Sequence, residues 1–177
     1  MSALYRLDLR FAAILAIYGA VIFLTYRDEV LGVYLAPLAV LTARLILPLI
    51  RQLGIDATRE GALIAQPEGF AYEVAYTCTG FLPVLTYIVC VLAYPASWRH
   101  RSVGIALGAP LLWMVNVSRL VHLFYVGVFQ PTSFRWAHEV AWEGLLAIAF
   151  VTLWMAWMAW SERRAKAAPV CARKPAS

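Results

Sequence analysis

The chain has 177 residues, 63% of them hydrophobic and only 14% charged, with a formal net charge of +5 and a mean hydropathy of +0.72. Soluble domains carry about 25% charged and about 45–50% apolar residues, and a chain this short has too little interior to bury the excess, so lipid must solvate it. A soluble globular protein is therefore excluded; basic residues confined to short loops and the tail, not spread along one face, exclude nucleic acid as a partner.

Phe11 to Tyr26 is an uncharged run near the lower length limit for a span. Arg6 and Arg10 precede it, and no small-x-small cleavage site appears before Arg27, Asp28 and Glu29. An uncleaved first helix is thus expected in place of a signal peptide. Val30 to Ile50 is apolar but interrupted by Pro37, Arg44 and Pro48. It either spans or lies in the interface with Arg44 and Arg51 toward water; the interfacial reading, which places the N-terminus in the cytoplasm, is preferred. Residues 51–77 form the longest polar stretch between apolar segments. Within it Ala62–Ala65 and Phe70–Tyr76 flank Gln66-Pro67-Glu68-Gly69, the pattern of a β-hairpin lying on the membrane surface.

Three further spans follow. The first runs from Cys78 to Tyr94 and the second from Ser102 to Gln130, where Gly104 and Gly108 suit close helix packing. The last runs from His138 to Trp160, with Trp154, Trp157 and Trp160 placed as an aromatic belt. The expected fold is a single domain over 1–177: an all-α polytopic membrane protein of about four to five transmembrane helices, with a small outer-face β-hairpin before the Cys78 helix. Positive residues mark the cytoplasmic side. The loop with Arg99 and Arg101, and the basic tail over 161–177 with Arg163, Arg164, Lys166, Arg173 and Lys174, both belong there. Cys78 and His138 then open their spans at the outer face of the cytoplasmic membrane.

Arg119 precedes Gln130 by eleven residues, about 17 Å at 1.5 Å per residue, and so sits within the bilayer. An arginine at the centre of a span costs about 2.5–3.5 kcal/mol on insertion scales, which makes it a functional candidate. Asn116 and His122 flank it at i−3 and i+3 in one polar stripe. Of the three cysteines, Cys171 is in the tail and Cys90 lies twelve residues beyond Cys78. That is about 18 Å along a helix, beyond the roughly 4.4–6.8 Å a disulfide needs. Cys78 is therefore a lone thiol facing an oxidising compartment, with Thr79 and Gly80 at a helix start that favours a thiolate.

A cysteine nucleophile needs a cation, a proton carrier and a donor to the developing oxyanion. Cys78, His138 and Arg119 supply those residue types. Plainer readings stand beside this one: Cys78 as a packed small residue, His138 as a helix cap, Arg119 neutralising Glu73 or Glu139, His122 as a packing residue, and His100 as a solvated loop residue. Two other functions remain open from the residues alone. His122 and His138 on consecutive spans could hold haem or a metal, or Arg119 and Asn116 could bind a polar ligand in a non-catalytic transport or assembly protein.

The run Tyr72-Glu73-Val74-Ala75-Tyr76-Thr77-Cys78-Thr79-Gly80 resembles the Cys-[Ser/Thr]-Gly signature of the exosortase/archaeosortase family. Asn116-Val117-Ser118-Arg119 is similar to its Asn-x-x-Arg helix, and His138 to the histidine that opens the following span. The resemblance covers roughly residues 30–160, leaving 1–29 as an N-terminal segment with the first span, and the shortness of the chain suggests one of the short subgroups, such as an exosortase H-like one. It implies a sorting transpeptidase without cofactor or metal. The partners it implies are secreted proteins ending in a short motif, a transmembrane helix and a basic tail. By the same resemblance Cys78 is the nucleophile, His138 the general acid/base and Arg119 the thiolate or oxyanion stabiliser, with Glu73, Thr79, Gly80, Asn116 and His122 in support. The hairpin ending beside Cys78 could align an extended peptide by β-augmentation.

Overall fold

The structure, a computed structural model, describes the backbone of residues 2–27, 30–67 and 69–167 and the side chains of 9–24, 32–67 and 69–166. Asp28, Glu29, Glu68 of the predicted turn, and Cys171, Arg173 and Lys174 of the tail lie outside the described residues. Helix α1 spans Ser2–Arg27 and α2 spans Val30–Gln52, followed by strands β1 (Thr58–Glu60), β2 (Leu63–Ala65) and β3 (Ala71–Glu73). A 3-10 turn at Tyr76–Cys78 leads to α3 (Phe81–Ala93) and then to α4 (Trp98–Phe129). A short 3-10 turn at Pro131–Ser133, one turn of helix at Phe134–Trp136 (α5) and a π-helical turn at Ala137–Ala141 connect to α6 (Trp142–Ala167).

Among the described residues, three helical stretches are long and apolar enough to cross a membrane: Gly32–Gln52, Trp98–Phe129 and Pro131–Lys166. Leu9–Leu24 and Phe81–Ala93 are shorter apolar helices. The second segment is thus one continuous helix through Pro37 and Pro48. It lies along α4 and under the sheet, where Ala43, Ile46 and Ile50 join Ile64, Val74, Leu120 and Phe124 in one buried cluster.

The predicted hairpin is the second half of a three-stranded antiparallel sheet ordered β1-β2-β3. Leu63 pairs with Glu73 and Ala65 with Ala71 across the anticipated turn. The additional strand, Thr58–Glu60, pairs Thr58 with Ala65 and Glu60 with Leu63. Its sequence, Thr-Arg-Glu, lacks the apolar alternation that signals a strand; it is held by its partner's backbone and by the Arg51 Nε–H donating to the Ala57 carbonyl at 2.9 Å.

A second difference concerns Cys78, which ends a 3-10 turn and does not begin a helix. Gly80, at φ 79° and ψ 2°, is the N-cap of α3, and its left-handed backbone stops the turn from running into the helix. Pro83 then sits in the first turn of α3, where its missing N–H has no intrahelical partner to lose. At 13 residues, α3 covers about 20 Å, less than the roughly 30 Å of a bilayer's hydrocarbon core.

At the end of the bundle away from the sheet, α3, α4 and α6 form a second core from Tyr87, Val91, Ala109, Leu112 and Trp157. Small residues on α4 admit it: the Tyr87 ring covers Gly108 and the Trp157 indole covers Gly104. The three tryptophans predicted as a lipid belt also make packing contacts within the bundle. Trp157 is buried and its Nε1–H donates to the His100 carbonyl at 2.9 Å, Trp160 meets the His100 ring edge-on, and Trp154 stacks on Phe11. His100 is correspondingly held rather than free in solvent, its Nδ1 lying 3.3 Å from the Ser161 hydroxyl.

Candidate active site

The Cys78-Thr79-Gly80 run acquires a physical reason residue by residue. Thr79 is buried; its hydroxyl donates to the Tyr76 carbonyl at 2.7 Å and accepts from the Phe81 N–H at 3.4 Å. Those bonds tie the 3-10 turn to the start of α3. Gly80 presents only hydrogen where Asn116 of α4 approaches, since a Cβ there would lie 2.9 Å from Asn116 Nδ2. Asn116, itself buried, uses that room to donate from Nδ2 to the Cys78 carbonyl at 2.9 Å. The backbone of the cysteine is thereby pinned to α4 from across the bundle.

The thiol faces the other two predicted residues. Cys78 Sγ lies 4.0 Å from His138 Nε2, and Arg119 Nη2 lies 3.4 Å from the same nitrogen. Arginine has no acceptor atom, so the second contact is a hydrogen bond only when His138 Nε2 is unprotonated and the ring proton is on Nδ1. The imidazole is placed by the turn before α6 and by Phe134, whose ring stacks against it at 6.0 Å. One acceptor nitrogen thus stands between a thiol and a guanidinium.

Arg119 is 3% exposed, and its carboxylate partner is neither Glu73 nor Glu139. Nη2 donates to Glu143 Oε1 at 2.8 Å, while Glu139 pairs with Arg135 on the surface. Reasoning from sequence missed Glu143. The available signal was an acid inside an apolar span, the only one between Glu139 and Glu162. Its position depends on the π turn, in which the Trp142 N–H bonds the Ala137 carbonyl five residues back. On an ideal α-helix, positions 138 and 143 would stand about 140° apart; the wider turn lets both reach Arg119. Arg119 Nε is buried with no partner among the described residues.

Of the supporting residues, Thr79, Gly80 and Asn116 act on the cysteine as described. Glu73, at the end of β3, lines a cavity of about 340 Å³ together with Tyr72, Cys78, Phe134 and His138. His122 is not part of the cluster: its Nδ1 accepts from the Trp142 indole N–H at 3.0 Å, and among the described residues no hydrogen bond joins it to Cys78, Arg119 or His138. The two imidazoles considered for haem or a metal therefore have separate partners. Tyr72, quoted in the signature run but given no role there, donates its hydroxyl to the Leu120 carbonyl at 3.1 Å. Burial pushes its phenol well above the ordinary range, a charge on Cys78 adds to the effect and Arg119 opposes it, so it stays a neutral donor at the cavity wall.

Residues 4–157 match the family described as transmembrane exosortase (Exosortase_EpsH). The chain belongs to the transmembrane exosortase family. A curated relative, archaeosortase A of Natronomonas pharaonis, is 29% identical over 68 residues, covering 38% of this chain and 22% of the relative. The chain therefore aligns with less than a quarter of that relative's length. No solved structure matches.

Proposed function

We propose that this chain is a membrane cysteine transpeptidase that cleaves the C-terminal sorting signal of secreted proteins at the outer face of the cytoplasmic membrane, passing the acyl group through a thioester on Cys78. The observation that carries the reading is the meeting of Cys78 Sγ and Arg119 Nη2 at one nitrogen of His138, from three separate segments of an exosortase.

The chemistry follows from the contacts. His138 Nε2 takes the Sγ–H proton, and the thiolate sulfur bonds the carbonyl carbon of the substrate, sending the C=O π electrons to oxygen. Once Nε2 carries a proton it no longer accepts from Arg119, so the guanidinium is released toward the new negative charge while Glu143 keeps it anchored. Preorganised donors of this kind are worth about 2.7–4 kcal/mol when one is removed from an oxyanion site. Collapse of the adduct breaks the C–N bond, and the departing amine takes the proton from His138. An acceptor nucleophile (water, an amine or a hydroxyl) then attacks the thioester, gives its proton to His138 and frees the thiolate, which recovers that proton. The acyl side of the substrate lies in the cavity bounded by Tyr72, Glu73 and Phe134, with β3 at the sheet edge available to pair with it.

The test is an epitope-tagged secreted protein from the same genome that ends in a short motif, an apolar helix and a basic cluster. Co-expressed with the wild-type chain this reporter is shortened; with Cys78→Ala, His138→Ala or Arg119→Ala it stays full-length. Normal shortening by Cys78→Ala would end the thioester reading.

A further inference from the structure

The cavity beneath the sheet is one of two that meet at the cluster. A second, of about 380 Å³, has Thr77, Asn116, Arg119 and Glu143 at its upper end. From there it runs away from the sheet between Thr86 of α3 and Leu146, Ala147 and Phe150 of α6. Thr77, the residue before Cys78, lines both cavities, so they adjoin at the thiol's own turn. Phe150 lies seven residues beyond Glu143, about 10 Å along the helix.

This cleft has apolar helices for walls. A polypeptide leaving the site along it runs inside the bilayer, where its backbone must be satisfied internally, so it has to be helical and apolar. Helix α1 shows that this pair of walls accepts such an element. Tyr18 shares a 2.8 Å hydrogen bond with Thr86 on α3, and Phe11 stacks at 6.0 Å and 9° on Trp154 of α6, one turn beyond Phe150. Leu9, Ile17, Val21 and Phe23 of α1 are left exposed, and α1 meets the cleft wall at Thr86.

We infer that the α3–α6 cleft receives the apolar helix that follows the cleaved bond, with Ala147 at its wall. The inference rests on the sorting reading but concerns binding rather than chemistry. It orders the substrate: the acyl part beside Tyr72 and Glu73, the scissile carbonyl oxygen beside Arg119, and the departing helix between α3 and α6.

Photocrosslinking in membranes tests it with the full chain and the tagged reporter. A benzophenone amino acid replaces either Ala147, on the cleft, or its neighbour Ile148, which is 64% exposed and does not line the cavity. Both are made with Cys78→Ala, so that capture reads binding without cleavage. Position 147 captures the reporter's C-terminal helix, and position 148 does not. Equal capture from both, or none from 147, overturns the inference. In the chain with Cys78 intact, Ala147→Trp fills the cleft and lowers reporter processing by about tenfold or more, the scale of overpacking a fitted site, while a small maleimide still alkylates Cys78 at the wild-type rate. Wild-type processing by Ala147→Trp also overturns it. Capture at 147 by a chain whose wild-type form never shortens the reporter would remove the sorting chemistry and leave the cleft standing.

Discussion

Gly80→Ala tests how the cysteine is held. At φ 79° a residue with a Cβ costs about 1–2 kcal/mol relative to glycine. The new methyl would also lie 2.9 Å from Asn116 Nδ2 and 3.0 Å from its Cγ, distances that force the amide away. Asn116 is 1% exposed and cannot swing into solvent, so its 2.9 Å bond to the Cys78 carbonyl breaks. Leaving such a buried polar group unsatisfied costs about 1–3 kcal/mol. The second effect is the larger and falls on the backbone of Cys78, the proposed nucleophile. A loss of about 3 kcal/mol in the positioned state corresponds to roughly a hundredfold in rate. Reporter processing in membranes is the assay, with melting of the solubilised protein beside it and Gly19→Ala as a control, since nothing lies within 4 Å of that site. Asn116→Ala is expected to lose processing as well. The double variant is expected to be little worse than Gly80→Ala alone, because most of the clash has been removed. Strictly additive losses would show that the two residues do not act through one contact and would refute the argument.

Glu143→Gln leaves Arg119 in place but weakens its anchor. Because the Glu143 side chain is 58% exposed and Arg119 only 4%, the loss is about 1–2 kcal/mol, below the 3–5 of a fully buried pair. Processing falls about tenfold and melting drops by about 2–8 °C, at about 2–4 °C per kcal/mol for a chain of this size; an unchanged processing rate would remove Glu143 from the site. Gly108→Ala acts on the fold instead. Its Cβ would overlap the hydroxyl of buried Tyr87, so the solubilised protein melts lower by the equivalent of about 1–3 kcal/mol. A melting point at or above wild type would mean that α3 and α4 do not pack as described.

The membrane character and the order of the helices were legible because they depend on summed apolarity, which needs no partner. Arg119 was legible for a related reason: a guanidinium among apolar residues is costly, and that cost is visible in one dimension. What escaped depends on geometry between segments. Thr58–Glu60 is a strand only because β2 offers it a ladder. The start of α3 moved past Cys78 because Gly80 adopts a left-handed conformation that its apolar neighbours do not announce. The tryptophans of α6 fit a lipid belt by spacing, and also face His100, Gly104 and α1. Glu143 was hidden by the π turn, since a 3.6-residue period places it away from His138.

That turn also explains how a membrane protein can keep an arginine where lipid would reject it. Arg119 is buried against groups drawn from one short stretch of chain: the His138 nitrogen and the Glu143 carboxylate, brought to the same side by one extra residue in the helix. π turns form at a cost in helix geometry and recur where function demands it. Here the return is a guanidinium whose charge is balanced on one side and shared with a proton acceptor on the other. If the ion pair existed only for stability, Glu143 alone would satisfy it and His138 could point anywhere from the turn before α6. The histidine instead sits 3.4 Å from the arginine and 4.0 Å from the thiol, a placement that stability does not require and that the proposed nucleophilic chemistry does.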